Sequence, residues 1–515
     1  MDCYDAIVVG SGPGATFAAK GLKGKRVLVL DVGFEAPPPS LQRNIYDLRR
    51  EDRDLFPELI GEQFQSLRNL VERPISLKLK APRMSYIVKG WPELTPIVTR
   101  SFEGVLSLAK GGLANGWGAG VYRFTDQDLR GFPICAEDLR PFYDEITSQI
   151  GVSGANDDLT PYFGHDDGLL PPMRMSAFFE ELYAGNERAK SAFEHERVFV
   201  GRARLAVRTD AYRYNNLEFF ESRDPAIYTP SYTIDELRSS GAITYLDGRL
   251  VLRYEEQSDR VLIYARNLHD NREETHCARK LCLGAGAINT ARIVLASARD
   301  FTSRLPLLDN PMACIPFFSP RRIGRALPIG DSSLGQINMV IEDGDEILQA
   351  TLYGATGPLR SDILFTLPLS FHANLALVKY VAPAMGLMML FYPGAENGGY
   401  VRLRESGELE VEFAGTRSNP PVERRLIRLL RKLGYWTNAS LIARPGMGQG
   451  LHFAATLPMR AQPRRHQTDS EGRLFGTERV HIVDGACMSR LPAKNLTFTI
   501  MANALRISRR LARKL

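Results

Sequence analysis

The 515-residue sequence predicts an α/β protein with a Rossmann-like nucleotide-binding domain and a second domain built on an antiparallel sheet. Three observations predict this fold class. A strand, a glycine-rich turn, a helix and a second strand follow one another within residues 4–31. A second glycine-bearing strand-to-helix turn lies at 280–298, and short strands at 400–403 and 409–413 belong to a region without nucleotide-binding motifs. A chain of this length can bury the core of two or more domains.

The first 31 residues carry the nucleotide-binding pattern. The turn GSGPG lies between the strand Tyr4 to Val9 and a helix, so its glycines let the backbone approach a pyrophosphate. Asp31 ends the second strand, where a carboxylate can accept hydrogen bonds from a ribose. Ala15 replaces the third glycine of the motif with another small residue. A motif so close to the N-terminus favours FAD over NAD. The predicted cofactor contacts here are Gly10, Ser11, Gly12, Pro13, Gly14, Ala15 and Asp31.

Composition narrows the function classes. The net charge is +6, and the basic residues at 424–432 and 506–514 read as solvated faces of amphipathic helices, so no nucleic-acid partner is predicted. The six cysteines form no CxxC pair, which favours free thiols, a reducing compartment and no metal site. No signal-like segment precedes Tyr4, so a cytoplasmic location is expected. The apolar stretch Ile363 to Tyr392 is broken by prolines and polar residues and is not read as a membrane span. Contact with a membrane surface stays open.

The middle of the chain gives weaker signals. Leu41 to Lys80 is predicted helical, and Leu108 to Gly120 concentrates five glycines, as expected where main chain passes over a flat ligand or in a structural loop. Ile243 to Ala265 alternates around two turns and predicts an antiparallel meander. The predicted domains are listed by range: a discontinuous FAD-binding domain of 1–35, 100–125, 195–305 and 450–515, lid or intervening segments of 36–99 and 126–194, and a substrate-binding domain of 306–449.

The C-terminal 65 residues hold the candidate catalytic groups. His452 follows a glycine-rich turn, and Asn495 stands directly before the apolar run that begins at Leu496. Taken alone, His452 reads as an ordinary core or surface histidine and Asn495 as a helix N-cap.

Six segments in order resemble the glucose-methanol-choline (GMC) family of FAD-dependent oxidoreductases over nearly the whole chain: GSGPGA, GGLANGWG, LCLGAGAINTARIVLAS, LHFAATLPM, VHIVDGA and KNLTFTIMANALRIS. The resemblance implies that His452 and Asn495 share a pocket above the flavin. It also implies oxidation of a primary or secondary alcohol by proton abstraction and hydride transfer to flavin N5. Further cofactor contacts carried over from the family are Gly112, Asn115, Val251, Asp484, Gly485, Leu496 and Thr497.

Departures from the family pattern bear on the details. No histidine precedes His165, so the FAD is expected to be non-covalent. Ala455 and Arg460 replace two glycines beside His452, which leaves the backbone path there open. Arg460, with a basic group at 464–466, reads as a solvated loop or as the receiver of an anionic substrate group. The electron acceptor, oxygen or another carrier, is not specified. Two other functions remain open: an FAD-containing lyase of the same fold, and a non-catalytic flavoprotein at a membrane surface.

Overall fold

The computed structural model describes residues 3–37, 61–62, 66, 77–215, 218, 220, 224–326, 330–355, 369–395, 398–415 and 418–515. Its strands are β1 (Tyr4–Val9), β2 (Val27–Leu30), β3 (Ile97–Val98), β4 (Val198–Arg202), β5 (Thr244–Leu246), β6 (Arg249–Glu256), β7 (Val261–Asn267), β8 (Glu273–Leu283), β9 (Leu305–Pro306), β10 (Met312–Phe318), β11 (Ile337–Asp343), β12 (Glu346–Gly354), β13 (Met385–Phe391), β14 (Gly399–Leu403), β15 (Leu409–Phe413) and β16 (Val480–Ile482). Its α-helices are α1 (Pro13–Gly21), α2 (Trp91–Leu94), α3 (Ala136–Ile150), α4 (Thr160–Phe163), α5 (Ala177–Arg188), α6 (Lys190–His195), α7 (Pro230–Ser239), α8 (Ala287–Ser297), α9 (Phe371–Val381), α10 (Pro420–Lys432) and α11 (Thr497–Ala512).

The first sheet confirms the Rossmann-like domain. Its strand order is β5-β2-β1-β8-β7-β6, and β16 also pairs with β8. Strand β8 is longer than the predicted segment 280–283 because it changes partners: its first half pairs antiparallel with β7, and its second half lies parallel to β1 and β16. The carboxyl ends of these parallel strands therefore meet at one edge, which is where open α/β sheets bind ligands.

The predicted meander over 243–265 is only partly correct. Strand β5 pairs in parallel with β2, whereas β6, β7 and β8 form the antiparallel part. Alternation of apolar residues identifies a strand that has one buried face, but it does not identify the neighbour. Here the segment before Asp247 adds a strand to the edge of the Rossmann sheet.

The second domain is built on a five-stranded sheet of order β10-β13-β12-β11-β4, with every pair antiparallel. Helix α10 (Pro420–Lys432) buries one apolar side against this core and exposes most of its basic residues, as predicted. Strand β4 belongs to this sheet, although the predicted boundary at residue 195 placed it in the FAD-binding domain. A small sheet of order β3-β15-β14-β9 lies beside the Rossmann domain, where β14 contacts α8.

Two expectations from composition are wrong in part. The structure pairs Cys3 with Cys277 in a disulfide between the starts of neighbouring strands, while Cys135, Cys282, Cys314 and Cys487 are free thiols. Their separation of 274 residues gave no local signal. Arg506 was expected on a solvated helix face, but it is fully buried and its guanidinium donates to Asn503 and to the carbonyl of Ser470.

Two further expectations concern segments that the structure describes incompletely. The helix predicted over Leu41 to Lys80 falls largely outside the described residues, and only 77–80 form a 3₁₀ turn. Within the described part of the chain, no helix is long and apolar enough to cross a membrane.

The C-terminal helix α11 packs closely on α1, which fixes the ends of both helices near the sheet edge. A Cβ added at Gly21 would lie 2.0 Å from Ser508 Oγ. Glycine is therefore required at this contact because the two backbones approach too closely for a side chain.

We expect Gly21→Ala to lower the free energy of unfolding by about 1–3 kcal/mol, although alanine normally stabilises helices relative to glycine. Adding Ser508→Gly should restore most of the loss. Gly185→Ala is the matched control, because a Cβ there would meet no atom closer than 3.6 Å. Denaturant titration of the four proteins tests this. A Gly21→Ala variant as stable as Gly185→Ala would contradict the packing argument.

Candidate active site

One large cavity, about 740 Å³, runs from the carboxyl edge of the Rossmann sheet to the face of the second sheet. This size lies within the range of ligand-binding cavities. Most of the predicted site residues line it: Gly10, Ser11, Gly12, Pro13, Gly14, Asp31, Gly112, Val251, His452, Asp484, Gly485, Asn495, Leu496 and Thr497. His452 and Asn495, 43 positions apart in sequence, are thus brought to one cavity.

Two predicted contacts, Ala15 and Asn115, do not line the cavity. Ala15 packs against the sheet edge: a Cβ added at Gly284 would lie 2.8 Å from the Ala15 Cβ. The buried Asn115 amide donates to the carbonyls of Lys110 and Gly112 at 2.8 and 2.9 Å. Asn115 therefore shapes the glycine-rich loop from behind, while the loop backbone at Gly112, Gly116 and Gly118 borders the cavity.

Three helix N-termini converge on the cavity. The residues that begin α1, α8 and α11 all line it, namely Gly12 to Gly14, Gly286 to Asn289 and Asn495 to Thr497. A helix N-terminus carries unpaired N–H groups and a partial positive charge. The cavity is therefore suited to a ligand with several anionic or electron-rich groups along its length.

Two buried carboxylates mark the Rossmann end of the cavity. Asp31 Oδ2 accepts hydrogen bonds from Ser11 Oγ and, at 2.9 Å, from the Tyr245 hydroxyl. Burial raises the pKa of Asp31 to about 7 despite these donors. Asp484 Oδ2 accepts from Gly286 N at 2.8 Å and from Thr290 Oγ1 at 2.6 Å, so this carboxylate occupies part of the N-terminus of α8.

Asn310 fixes the tautomer of His452. The Asn310 Nδ2 group donates to the carbonyls of Tyr392 and Pro492 at 2.8 and 2.9 Å, so both of its hydrogens are used. Its Oδ1 lies 2.9 Å from His452 Nδ1 and must accept. Nδ1 therefore carries the ring proton, and the lone pair is on Nε2. Sequence analysis missed Asn310, because Asp-Asn-Pro reads as a turn and nothing links it to His452.

His452 is held neutral and in a defined backbone path. Burial lowers the pKa of its imidazole to about 4. The backbone N–H groups of His452 and Gly448 are both received by the carboxylate of Asp309, at 3.4 and 2.6 Å. Ala455, at a glycine position of the family pattern, keeps the left-handed conformation with φ of 68°. The backbone therefore follows a path typical of glycine despite the substitution.

Lys494 is a buried clamp and does not line the cavity. Its ammonium group donates to the carboxylate of Asp128 and to the carbonyl of Tyr162, and both charged side chains are almost fully buried. Burial lowers the pKa of Lys494. The clamp fixes the segment before α11 and so places the adjacent Asn495, whose amide lies beside Gly120: a Cβ added there would be 3.0 Å from Nδ2.

The far end of the cavity, next to His452, is uncharged. The side chains that line it come from β10, β12, β13 and the turn before His452: Met312, Tyr353, Met389, Phe391 and Leu451. The Phe391 ring packs on the imidazole with centroids 5.4 Å apart. The basic residues after Met459 lie elsewhere: Arg465 and His466 pair with Asp300, and Arg460 donates to a carbonyl. They form a surface loop, not an anion receiver in the cavity.

Comparison with known proteins agrees with this geometry. Residues 435–504, which include His452 and Asn495, match the sequence model of the GMC oxidoreductases. The crystal structure of pyridoxine 4-oxidase from Mesorbium loti has a similar fold over 99% of each chain, with a TM-score of 0.63 and 15% sequence identity. No curated protein matches the chain in sequence. The resemblance seen in the sequence motifs and the predicted fold class are confirmed, and the chain belongs to the GMC oxidoreductases.

The cavity fits the dinucleotide FAD that this family generally binds. Asn289 Oδ1 is buried at the start of α8 without a hydrogen-bond partner among the described residues, as expected of a group that awaits a ligand. Cβ atoms added at Gly12 and Gly286 would meet nothing within 4 Å, so the backbone faces open space at both helix starts. A pyrophosphate between α1 and α8 would leave Asp31 for the ribose.

We expect Lys494→Met to destabilise the protein by about 3–5 kcal/mol, because it leaves the Asp128 carboxylate buried without its partner. The double variant Lys494→Met/Asp128→Asn should recover part of this loss, since it removes both charges. Denaturant titration measures the coupling between the two positions. Additive losses in the double variant would contradict the clamp.

Proposed function

We propose that the protein is an FAD-dependent oxidase or dehydrogenase that converts a primary or secondary alcohol into the carbonyl compound. The observation that carries this proposal is the neutral His452, oriented by Asn310, in the same cavity as Asn495 and three helix N-termini. When bound, non-covalent FAD would supply the acceptor for the hydride that leaves the alcohol carbon. Among the residues that line the cavity, only His452 combines a lone pair with a suitable pKa for accepting the alcohol proton.

His452 is the proposed general base. With its proton held on Nδ1 by Asn310, Nε2 takes the hydroxyl proton as the carbonyl forms. The Asn495 amide is the proposed partner that holds the same substrate oxygen. Leu496 and Thr497 bring the positive end of α11 into the cavity, where it favours negative charge on the ligand.

The uncharged end of the cavity supports an apolar or aromatic alcohol as substrate. Met312, Met389 and Phe391 offer polarisable surface, and Tyr353 adds a hydroxyl group. The similar solved structure is named for pyridoxine, which is an aromatic alcohol. An anionic alcohol would find no side-chain cation among the residues at this end of the cavity.

Anaerobic mixing of the flavin-loaded protein with a panel of alcohols tests the proposed function. Loss of the oxidised flavin absorbance with benzylic and apolar primary alcohols, and not with sugar phosphates, is the expected result. A lyase would convert its substrate while the absorbance stays unchanged. Binding of flavin without reduction by any alcohol would favour the non-catalytic role.

We expect His452→Ala to slow flavin reduction by about 10²- to 10⁴-fold, the usual contribution of a general base. His481→Ala is the matched control, because His481 is also buried with its pKa lowered to about 4 but does not line the cavity. In the unmodified protein the reduction rate should fall only as the pH drops through about 4, where His452 becomes protonated. A plateau edge near the ordinary histidine pKa would contradict burial of the imidazole.

We expect Asn310→Asp to move this acidic limb to higher pH, because a carboxylate beside Nδ1 stabilises the protonated imidazole. Asn310→Leu should lower the rate by about 100-fold, since the tautomer is no longer fixed. Asn338→Leu removes another buried amide, which bonds Tyr122 and Thr351, and is the control for general loss of packing. An unchanged limb in Asn310→Asp would remove Asn310 from the mechanism while leaving His452 in place.

A further inference from the structure

A cluster of exposed apolar side chains lies on the second domain, away from the cavity. Six of the eight large apolar residues that are most exposed among the described residues fall here, and Tyr380 and Trp436 are each 62% exposed. We call this surface the apolar face and define it by Ile323, Leu369, Leu377, Tyr380, Trp436 and Leu441. The other two, Phe301 and Phe475, are not part of it. Large exposed apolar clusters on soluble proteins mark interaction sites.

The segments that form the apolar face are joined by backbone hydrogen bonds. Gly324 N donates to the carbonyl of Tyr380 at 2.9 Å, which fixes the turn that carries Ile323 against helix α9. Trp436 and Phe318 exchange two hydrogen bonds of 2.8 Å, and Phe318 ends β10 just before that turn. Three stretches of chain therefore share one surface.

Helix α9 (Phe371–Val381) presents an apolar stripe to solvent. Ala373, Ala376, Leu377 and Tyr380 are all exposed and follow one another at the spacing i, i+3, i+4, i+7, while Val378 is buried. A surface helix normally places such a stripe against the core and its polar residues outside. The reversed arrangement indicates that the stripe meets another apolar phase.

The electrostatics of the apolar face select the partner. Arg321, Arg325 and Lys379 are exposed around it, and no aspartate or glutamate occurs within residues 318–326, 369–386 or 435–444. A symmetric contact between two copies would bring like charges together. Tryptophan, tyrosine and cationic residues beside exposed leucines are instead the composition of a bilayer interface.

We propose that the apolar face docks the protein on the surface of an anionic lipid bilayer. Tyr380, Trp436, Leu377 and Ile323 enter the boundary between headgroups and acyl chains, and the surrounding cations meet the anionic headgroups. Helix α9 leads through Ala382 to Ala384 into β13, whose Met389 and Phe391 line the cavity. Docking would thus place the uncharged end of the cavity on the element next to the bilayer. This inference does not depend on the role of His452.

Co-sedimentation of the full-length protein with vesicles tests the proposal. We expect binding to vesicles of phosphatidylcholine with phosphatidylglycerol, weaker binding to phosphatidylcholine alone, and a decrease as salt rises. Leu377→Glu/Tyr380→Glu should weaken binding by about tenfold or more, because two carboxylates would enter the interface. Phe475→Glu is the matched control, because Phe475 is 52% exposed outside the apolar face, and its binding should equal that of the unmodified protein.

Light scattering and thermal unfolding of the same variants identify other occupants of the apolar face. Unchanged thermal stability in Leu377→Glu/Tyr380→Glu, together with lost vesicle binding, would support docking on lipid. A dimer that this variant converts to a monomer would overturn the proposal in favour of a second copy. Vesicle binding equal to that of the control variant, or without preference for the anionic lipid, would also overturn it.

Discussion

The amide of Asn310 holds together the two segments on which the candidate active site depends. Its oxygen receives His452, and its nitrogen donates to Pro492, three residues before Asn495. One buried side chain therefore sets the tautomer of the imidazole and the position of the loop that carries the carboxamide. Because both hydrogens of the amide are used, the group cannot rotate without leaving two buried carbonyls unpaired, at about 1–3 kcal/mol for each unsatisfied group. The orientation of His452 is thus maintained by the folding energy of the second domain, from which Asn310 and Tyr392 come.

The Rossmann sheet supplies the other half of the site through its topology. Strands β1, β8 and β16 run in parallel, so the turns that follow them meet at one edge, and helices α1 and α8 start there. Helix α11 arrives at the same cavity because it packs on α1 and because Lys494 anchors its first turn to Asp128. The polar pair before the apolar C-terminal run has therefore two separate purposes. Lys494 faces the protein interior as a clamp, and Asn495 faces the cavity.

The sequence predicted what is local and missed what is not. The unit from Tyr4 to Asp31 was predictable because each strand, turn and helix is specified by neighbouring residues. Partners distant in sequence left no trace in periodicity: β5 joins β2, Lys494 meets Asp128 across 366 residues, and Cys3 meets Cys277 across 274. His452 and Asn495 were found through family motifs, whereas Asn310 lies outside any motif and is recognisable only by its three hydrogen bonds. Asn115 was assigned to the cofactor because its loop was right, but the side chain points behind the loop and only the backbone faces the cavity.

The left-handed residues around His452 show that the same long-range contacts, and not local flexibility, determine the backbone path. Leu451 and Ala455 have φ values of 56° and 68°, a conformation that costs about 1–2 kcal/mol for a residue with a side chain. Such strain persists only where the surroundings fix the chain. Here Ala454 exchanges hydrogen bonds with Leu308, and Ala455 N donates to Gly485 at 3.0 Å, so the segment is held from both domains. A glycine at 455 would relieve strain but would add no new constraint. The aim of the imidazole therefore tolerates the loss of the family's glycine, because it is set by residues 308–310 on one side and 485 on the other.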